Sequence, residues 1–538
     1  MIAAWSMVAL AALLLVIAPL ARVAVGIANA APADPPRTQS WVEWSWLLAQ
    51  TAVVAVGLAL VITAAAWPVA WGLRFGRGGW GGWVHRSGWA WLAVPLLVPS
   101  YMPYAALQAA RGPGTWIGGL VERGPDWLGP IVTRTLGLGG MVLWLWPLAV
   151  IVLAAGLRSV PAGAVDQLAL EPGHGAARWH KAATRLAMGR SAAASAFAAV
   201  ALAVLGSAIP LHLAQVPTFA IWLWRELDLT PDPSTVWLKA TPLLVVALLA
   251  AIWVSRRLGH WTPAESGEDR TPPSAGKGWS VWLVWACFLW SASVLVPLGI
   301  FVWTLREAAL LERFWRETGY AVGSSSLLAG AVGLGGVALT LAVWSGLTLD
   351  GGHYRGWRDR AAAAILGGLV FMAVIPGVMV GSVFRQISQW VPVWLGEGPG
   401  MLWLAHLARF GAFAALAGIM LARGEPQAQR LLRLNEGATT AWAFWRAVVR
   451  PRWGTLLGIG LTMAALSLQE IEAAVILQPP GMPSLPRVLL EQLHYLRDQQ
   501  MAAASVNLIT LTMVLAWSAG RFLSSSVDSD RSARVRGT

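Results

Sequence analysis

The sequence predicts an all-α polytopic membrane protein, and its composition, the length of its apolar segments and the placement of its charges are the observations that predict it. Of the 538 residues, 57% are hydrophobic and only 12% are charged, with a mean hydropathy of +0.59. A soluble domain carries about 25% charged residues, so this composition does not suit a water-facing surface. Apolar stretches of about 18 residues or more recur along the chain, each long enough to cross a hydrocarbon core of about 30 Å. Lipid is therefore the expected solvent.

These stretches predict about twelve transmembrane helices, six in each half of the chain. The first six are expected near residues 4–25, 46–73, 88–110, 135–157, 187–210 and 237–256. The second six are expected near residues 279–303, 322–348, 361–384, 401–422, 454–478 and 502–522.

The basic residues indicate how these helices are oriented. If the C-terminus is cytoplasmic, the cytoplasmic loops and tail hold about 25 of the 39 Lys and Arg residues, as the positive-inside rule requires. The same rule accounts for the net charge of +13, and no basic stripe indicates nucleic-acid binding. The single cysteine, Cys287, lies in a predicted span and can form no internal disulfide.

The N-terminal segment allows two interpretations. Its apolar run is followed by Ala28-Asn29-Ala30, which resembles a signal-peptidase site. The run has no positively charged residues before it and is long for a signal peptide. An uncleaved first transmembrane helix is therefore favoured over a cleaved signal, and the topology of the remaining chain is the same in both cases.

The two halves of the chain resemble each other. Gly173 and Gly437, in two long polar loops, lie 264 residues apart, and the starts of the predicted spans are offset by about 265–275 residues. Because six helices is an even number, both halves face the same way, as two parallel six-helix repeats. The expected organisation is a first half over 1–257, a cytoplasmic linker over 258–278, a second half over 279–523 and a cytoplasmic tail over 524–538.

Each half holds one long polar loop, at 158–190 and 423–453, between its fourth and fifth spans. Each loop reads as a short helix, a bend of small residues and a second short helix. A single loop of this kind is explained by an interfacial helix lying on the lipid surface. Two loops at matching positions indicate instead a partner with two equivalent grooves.

The second loop carries a family resemblance. The stretch "NEGATTAWAFWRAVVRP" resembles the "EAA" loop of the permeases of binding-protein-dependent ABC importers, of type I, particularly the fused two-half permeases associated with ferric iron and thiamine. The pattern departs from the family at Leu431, Leu432 and Arg433, which stand where the family has Glu-Ala-Ala, and the first loop matches more weakly. The matching positions of the second loop are Gly437, Ala438, Phe444, Trp445, Arg446 and approximately Pro451.

The resemblance implies that these loops dock on ATP-binding cassette subunits, expected as a homodimer. The implied ATPase-coupling residues are Asp166, Glu171, Gly173, Glu436, Gly437, Ala438, Phe444, Trp445 and Arg446. The chain has no phosphate-binding Gly-x4-Gly-Lys-Ser/Thr loop, because "SAGKGW" lacks the first Gly and the hydroxyl residue. ATP hydrolysis is thus expected on a separate subunit, and the chain itself is expected to be neither an enzyme nor a cofactor carrier.

The resemblance also implies a location and a cargo. The chain would lie in a bacterial inner membrane and receive iron(III), thiamine or a similar small solute from an extracytoplasmic binding protein. The segment "LSLQEIEAAVILQPPGMPSLPR" is similar to the family segment that follows this loop. Its acidic position is Glu470, and the first-half counterpart, 264 residues earlier, is Gly206.

Charged residues and helix breaks mark a candidate translocation pathway. Glu470 and Glu472 fall late in the eleventh span, where a carboxylate in hydrocarbon costs at least about 2.5 kcal/mol. They are expected either to line a cavity, with Arg409 as counter-charge, or to be solvated in an outer vestibule. Pro210 is assigned to the same pathway. Pro-containing breaks are expected in the third and ninth spans, at "VPLLVPS" and "VIPGVM".

Two other classes of protein compete with this interpretation. A twelve-helix secondary transporter driven by an ion gradient can also be built from parallel repeats, and it predicts charge pairs within the membrane. A membrane-embedded enzyme would need a cluster of acids, histidines or metal ligands, and the sequence contains no credible spacing of that kind.

Overall fold

The computed structural model describes most of the chain. The described residues are 2–29, 38–75, 89–112, 115–170, 176–230, 233–259, 281–305, 307, 309–348, 357–425, 433, 435–436, 440–495 and 498–536. They form helices and no strands, which confirms the predicted all-α class. Most of the predicted linker at 258–278, together with Glu171, Gly173, Gly437 and Ala438, lies outside the described residues.

The first half contains fourteen described helices. They are α1 (Ile2–Ala12), α2 (Ala18–Asn29), α3 (Thr38–Phe75), α4 (Trp89–Leu97), α5 (Met102–Ala109), α6 (Trp116–Arg123), α7 (Leu128–Gly156), α8 (Ala162–Leu170), α9 (Ala176–Met188), α10 (Arg190–Leu205), α11 (Ile209–Leu213), α12 (Phe219–Leu229), α13 (Pro233–Lys239) and α14 (Thr241–Gly259).

Twelve described helices follow in the second half. They are α15 (Val281–Trp290), α16 (Val296–Thr304), α17 (Ala309–Thr348), α18 (Trp357–Val374), α19 (Gly377–Ser388), α20 (Val393–Gly396), α21 (Pro399–Arg423), α22 (Ala441–Phe444), α23 (Trp453–Leu468), α24 (Glu472–Leu477), α25 (Leu485–His494) and α26 (Asp498–Arg536).

Several of these helices are long and apolar enough to cross a membrane. Among the described residues there are seven, or up to ten if each of three bent helix pairs is one span. The sharpest bend, 111°, separates α18 from α19 at the expected Pro376 break. The predicted spans at 88–110 and 454–478 are instead split into shorter helices. The first is interrupted around Pro99, which cannot donate a backbone hydrogen bond.

The helices that open the two halves share an unusual feature. A five-residue π-helical turn lies at Leu13–Ile17, and another lies at Ser291–Leu295. Pro19 and Pro297 each follow their turn by two residues. Because proline has no N–H to give to the preceding turn, the hydrogen-bond register must adjust there, and a π turn is one way to absorb the change.

Helices of one half pack against helices of the other half. Helix α1 packs on α17, and α15 packs on α3. Likewise α14 packs on α18, and α26 packs on α4. A buried polar contact joins the halves at a further place, between α7 and the π turn at Ser291–Leu295. The indole N–H of Trp146 donates to Ser293 Oγ at 3.0 Å, and that hydroxyl donates to the Leu143 carbonyl at 2.8 Å.

Each half also has an apolar core of its own. In the first half the core lies between α3, α7 and α10 and contains Ile62, Met141 and Trp146, all fully buried. In the second half it lies between α17, α18 and α21, and the first helix of the chain adds Val8 and other side chains. These two cores hold the broken helices between them in place.

Candidate functional site

Three helix breaks meet at one charged cluster. The breaks are 206–208 between α10 and α11, 375–376 between α18 and α19, and 469–471 between α23 and α24. Glu470 lies in the third break, Glu472 is the first residue of α24 after it, and Arg409 comes from the unbroken helix α21. We name these three residues the central triad.

The triad is buried and ion-paired. Arg409 Nε lies 3.0 Å from Glu470 Oε2, and Arg409 Nη1 lies 3.1 Å from Glu472 Oε2. The side chains are 14%, 5% and 7% exposed for Arg409, Glu470 and Glu472, in that order. Neither carboxylate is therefore a solvated vestibule group, and Arg409 is the counter-charge that the sequence suggested.

Backbone N–H groups complete the hydrogen bonding of Glu472. Its Oε1 accepts from Ala208 N at 2.9 Å and from Ile209 N at 3.4 Å. Its Oε2 accepts from Gly377 N at 2.6 Å as well as from Arg409. The carboxylate thus satisfies donors that two helix breaks leave without partners within their own helices.

Glu470 has a more local role. Its Oε1 accepts from the backbone N–H of Ala473 at 3.0 Å, while its Oε2 faces Arg409. The side chain therefore caps the first turn of α24 and holds the guanidinium at the same time. With two carboxylates and one guanidinium the triad has a formal charge of −1, and the backbone donors offset part of the cost of burying it.

Two glycines allow the breaks to approach this closely. A Cβ on Gly377 would overlap the Arg409 guanidinium and would lie 2.7 Å from Glu470 Oε1. A Cβ on Gly206 would lie 2.6 Å from the Val374 carbonyl oxygen. Both positions are therefore open only to a residue without a side chain.

A histidine next to the triad was not singled out from the sequence. His406 lies on α21, one turn before Arg409, and its Nδ1 is 2.8 Å from Ser467 Oγ at the end of α23. Both side chains are buried. The spacing of three residues from Arg409 could have indicated that His406 shares its helix face.

Pro210 lies close to the triad but contacts it through its neighbours. It sits in the short helix α11, is buried, and follows Ala208 and Ile209, the two donors to Glu472. Of the three residues assigned to a pathway, Glu470 and Glu472 belong to one cluster, and Pro210 lies beside it.

The second polar loop is anchored to the helices behind it. Phe444 is 4% exposed and its ring meets the Trp344 ring of α17 edge-on, at 5.7 Å between centroids. Arg433 is also buried, and its guanidinium lies over the Phe444 ring at 5.8 Å. Arg433 Nε and Nη2 bind the two carboxylate oxygens of Glu425 at 3.0 and 3.1 Å, and Nη2 also donates to the Thr348 carbonyl.

Several other described side chains of this loop face outward. Trp442 and Trp445 are 67% and 44% exposed, and Glu436 and Arg446 are exposed as well. Of the coupling residues implied by the family resemblance, Phe444 therefore points into its own chain. Trp445, Arg446 and Glu436 are exposed, and the Arg446 guanidinium lies over the Trp442 ring at 5.9 Å.

The described part of the first polar loop contains α8 and α9. The backbone of Asp166 lies in α8, and Glu171 and Gly173 fall outside the described residues. On α9, the side chain of Trp179 is 80% exposed. Both loops thus present an exposed tryptophan just before the predicted fifth span of its half.

The comparisons with known proteins add no relative. No family model matches the chain, and no match was found among the curated proteins or the solved structures. Among the described residues, no group of three or more His, Cys, Asp or Glu could hold a metal ion.

Proposed function

We propose that the chain is the membrane-spanning permease of an ATP-driven importer, built as two parallel six-helix repeats that enclose a pathway for a small solute. Its ATPase would be a separate pair of subunits, and an extracytoplasmic binding protein would deliver the solute. The C-terminus and both polar loops would lie in the cytoplasm of a bacterial cell.

The observation that carries this proposal is the matched arrangement of the two halves. Each first helix bears a π turn and packs on the predicted second span of the other half, and each predicted sixth span packs on the predicted third span of the other half. Each half also exposes a tryptophan on its polar loop, at Trp179 and at Trp445. Two equivalent loops on one face would suit a partner made of two identical subunits.

Purification from the native membrane tests the proposal. The tagged chain is expected to retain a subunit with a phosphate-binding loop and ATP-hydrolysing activity. Trp445→Ala and Arg446→Glu should reduce that retention, because both side chains are exposed on the loop. A chain that purifies without any ATPase, or retains it equally in both variants, would contradict the proposal.

A matched control is available on the opposite end of the bundle. Trp394 is 76% exposed on α20, and the 25-residue helix α21 separates it from the second polar loop. Trp394→Ala removes the same kind of exposed ring, so it should leave the retained ATPase unchanged. This comparison separates loop contacts from a general loss of surface tryptophan.

The central triad also supports a second candidate function. A secondary transporter driven by an ion gradient predicts buried charge pairs such as Arg409 with Glu470 and Glu472. Uptake by vesicles with a proton or sodium gradient but no ATP would favour this function. Uptake that needs ATP and is indifferent to the gradient would favour the importer.

A further inference from the structure

The Glu472 carboxylate joins the two halves at positions that match in the repeat. Its Oε1 accepts hydrogen bonds from Ala208 N and Ile209 N, which belong to the first half. Ala208 precedes Glu472 by 264 residues. The glycines of the two polar loops show the same separation, and the helices α11 and α24 begin 263 residues apart, so the counterpart of Glu472 falls at Ala208 or Ile209. A side chain of one half is therefore bound to the backbone of its own counterpart.

This pairing locates the contact relative to the symmetry of the repeat. Two positions related by a twofold axis are separated by twice their distance from that axis, so counterparts touch only close to it. In a parallel two-repeat transporter the pseudo-twofold axis runs along the membrane normal between the halves. A solute that passes between the halves must travel along this axis. The contact of Glu472 with Ala208 therefore lies across the path of the solute.

The interface between the two halves around this contact, which we call the seam, is closed in the structure. Ala208 is fully buried, Ile209 is 4% exposed and the Glu472 side chain is 7% exposed. The Gly206 backbone also lies directly against the Val374 carbonyl of the neighbouring break. A solute cannot cross this level until the break at 206–208 separates from the breaks in the second half.

We propose that Glu472 is the latch that closes the translocation pathway, and that the structure is its closed state. This rests on the proposed function, because it assumes a pathway between the halves. The Oε2 atom of Glu472 is bound within its own half, to Gly377 N and to Arg409, whereas Oε1 crosses to the other half. Opening therefore breaks the two bonds at Oε1 and leaves those at Oε2 in place.

Cysteine accessibility tests the latch without an ATPase or a solute. Cys287 is the only cysteine of the chain, so Cys287→Ser gives a cysteine-free background. Ser207→Cys then places a thiol of similar size in the 206–208 break, at a site that is 8% exposed. The probe is a membrane-impermeant maleimide, added to the intact chain in membrane vesicles. The vesicles are permeabilised so that the probe reaches both faces of the membrane.

The thiol should react slowly in this background, because the closed seam protects it. Glu472→Ala removes the acceptor of both bonds between the halves and should raise the labelling rate about tenfold or more, since each hydrogen bond to a charged group contributes about 1.5–3 kcal/mol. Glu472→Gln keeps the volume and one acceptor oxygen and should give an intermediate rate. The Glu472→Gln variant also tests the proposal by itself if the alanine variant does not fold.

The control is Glu491→Ala, which removes an exposed carboxylate from α25 and should leave the labelling rate unchanged. Equal rates in the background and in both Glu472 variants would overturn the proposal, as would fast labelling of the background itself. Loss of ATPase retention bears only on the proposed function. Unchanged labelling in a chain that still retains its ATPase would refute the latch alone.

Discussion

Gly377→Ala tests how tightly the central triad is packed. The new methyl group would overlap Nη1 of Arg409 and lie 2.7 Å from Glu470 Oε1. A flexible arginine could normally move aside, but this guanidinium is held by both carboxylates and is 14% exposed. It can move only by giving up its contact with Glu472.

The size of the effect follows from the contacts that are lost. Disrupting a buried ion pair costs about 3–5 kcal/mol. Alanine in a helix returns up to about 1 kcal/mol relative to glycine. The free energy of unfolding should therefore fall by about 2–5 kcal/mol, measured by denaturation in mixed micelles with tryptophan fluorescence as the signal.

Gly330→Ala is the matched control for this substitution. Gly330 lies in the middle of α17, and a Cβ there would meet no atom within 4 Å. Its replacement should leave stability unchanged or raise it by up to about 1 kcal/mol. If Gly377→Ala is as stable as Gly330→Ala, the guanidinium is not held as described, and the account of the triad is wrong.

Three further predictions concern other contacts. Arg433→Lys and Glu425→Gln should each lower the ratio of solute uptake to ATP hydrolysis, because the second polar loop loses its two-point anchor; an unchanged ratio in purified complexes would contradict this. Gly368→Ala should destabilise the chain by about 1–3 kcal/mol in thermal unfolding, because its Cβ would overlap the Val16 side chain. Adding Val16→Ala should restore part of that loss, and no restoration would refute the packing of the first helix. Ser293→Ala should cost about 1–3 kcal/mol, since a buried indole N–H loses its acceptor; unaltered thermal stability would show that water replaces it.

The sequence predicted the features that depend on composition and local pattern. Apolar length located the seven helices of the described residues that are long and apolar enough to cross a membrane, and Pro376-Gly377 located the sharpest bend. The acids of the eleventh span indicated that Glu470 and Glu472 needed a counter-charge, and Arg409 was the available cation. These predictions succeeded because the cost of burying charge or an unpaired backbone group in lipid leaves few alternatives.

Other features depend on contacts between distant segments and could not be predicted from local pattern. Nothing near Glu472 in the sequence indicates that its carboxylate binds the backbone of Ala208. The aromatic at Phe444 was expected to face a partner, yet it packs on Trp344 within the chain. Arg433 departs from the family pattern. Its burial against Glu425 depends on how the loop folds back onto the end of α21, which no local pattern indicates.

The contact between Glu472 and Ala208 also bears on why the two halves share one chain. In a symmetric dimer of identical subunits, an acid at this position would face an identical acid across the axis. Two carboxylates so close would repel and could not both stay ionised. A single polypeptide with two different halves can place the acid on one side and a backbone donor on the other. Joining two different halves in one chain thus allows an asymmetric contact near the axis, with an acid on one side and backbone N–H donors on the other. Exact twofold symmetry would forbid this contact.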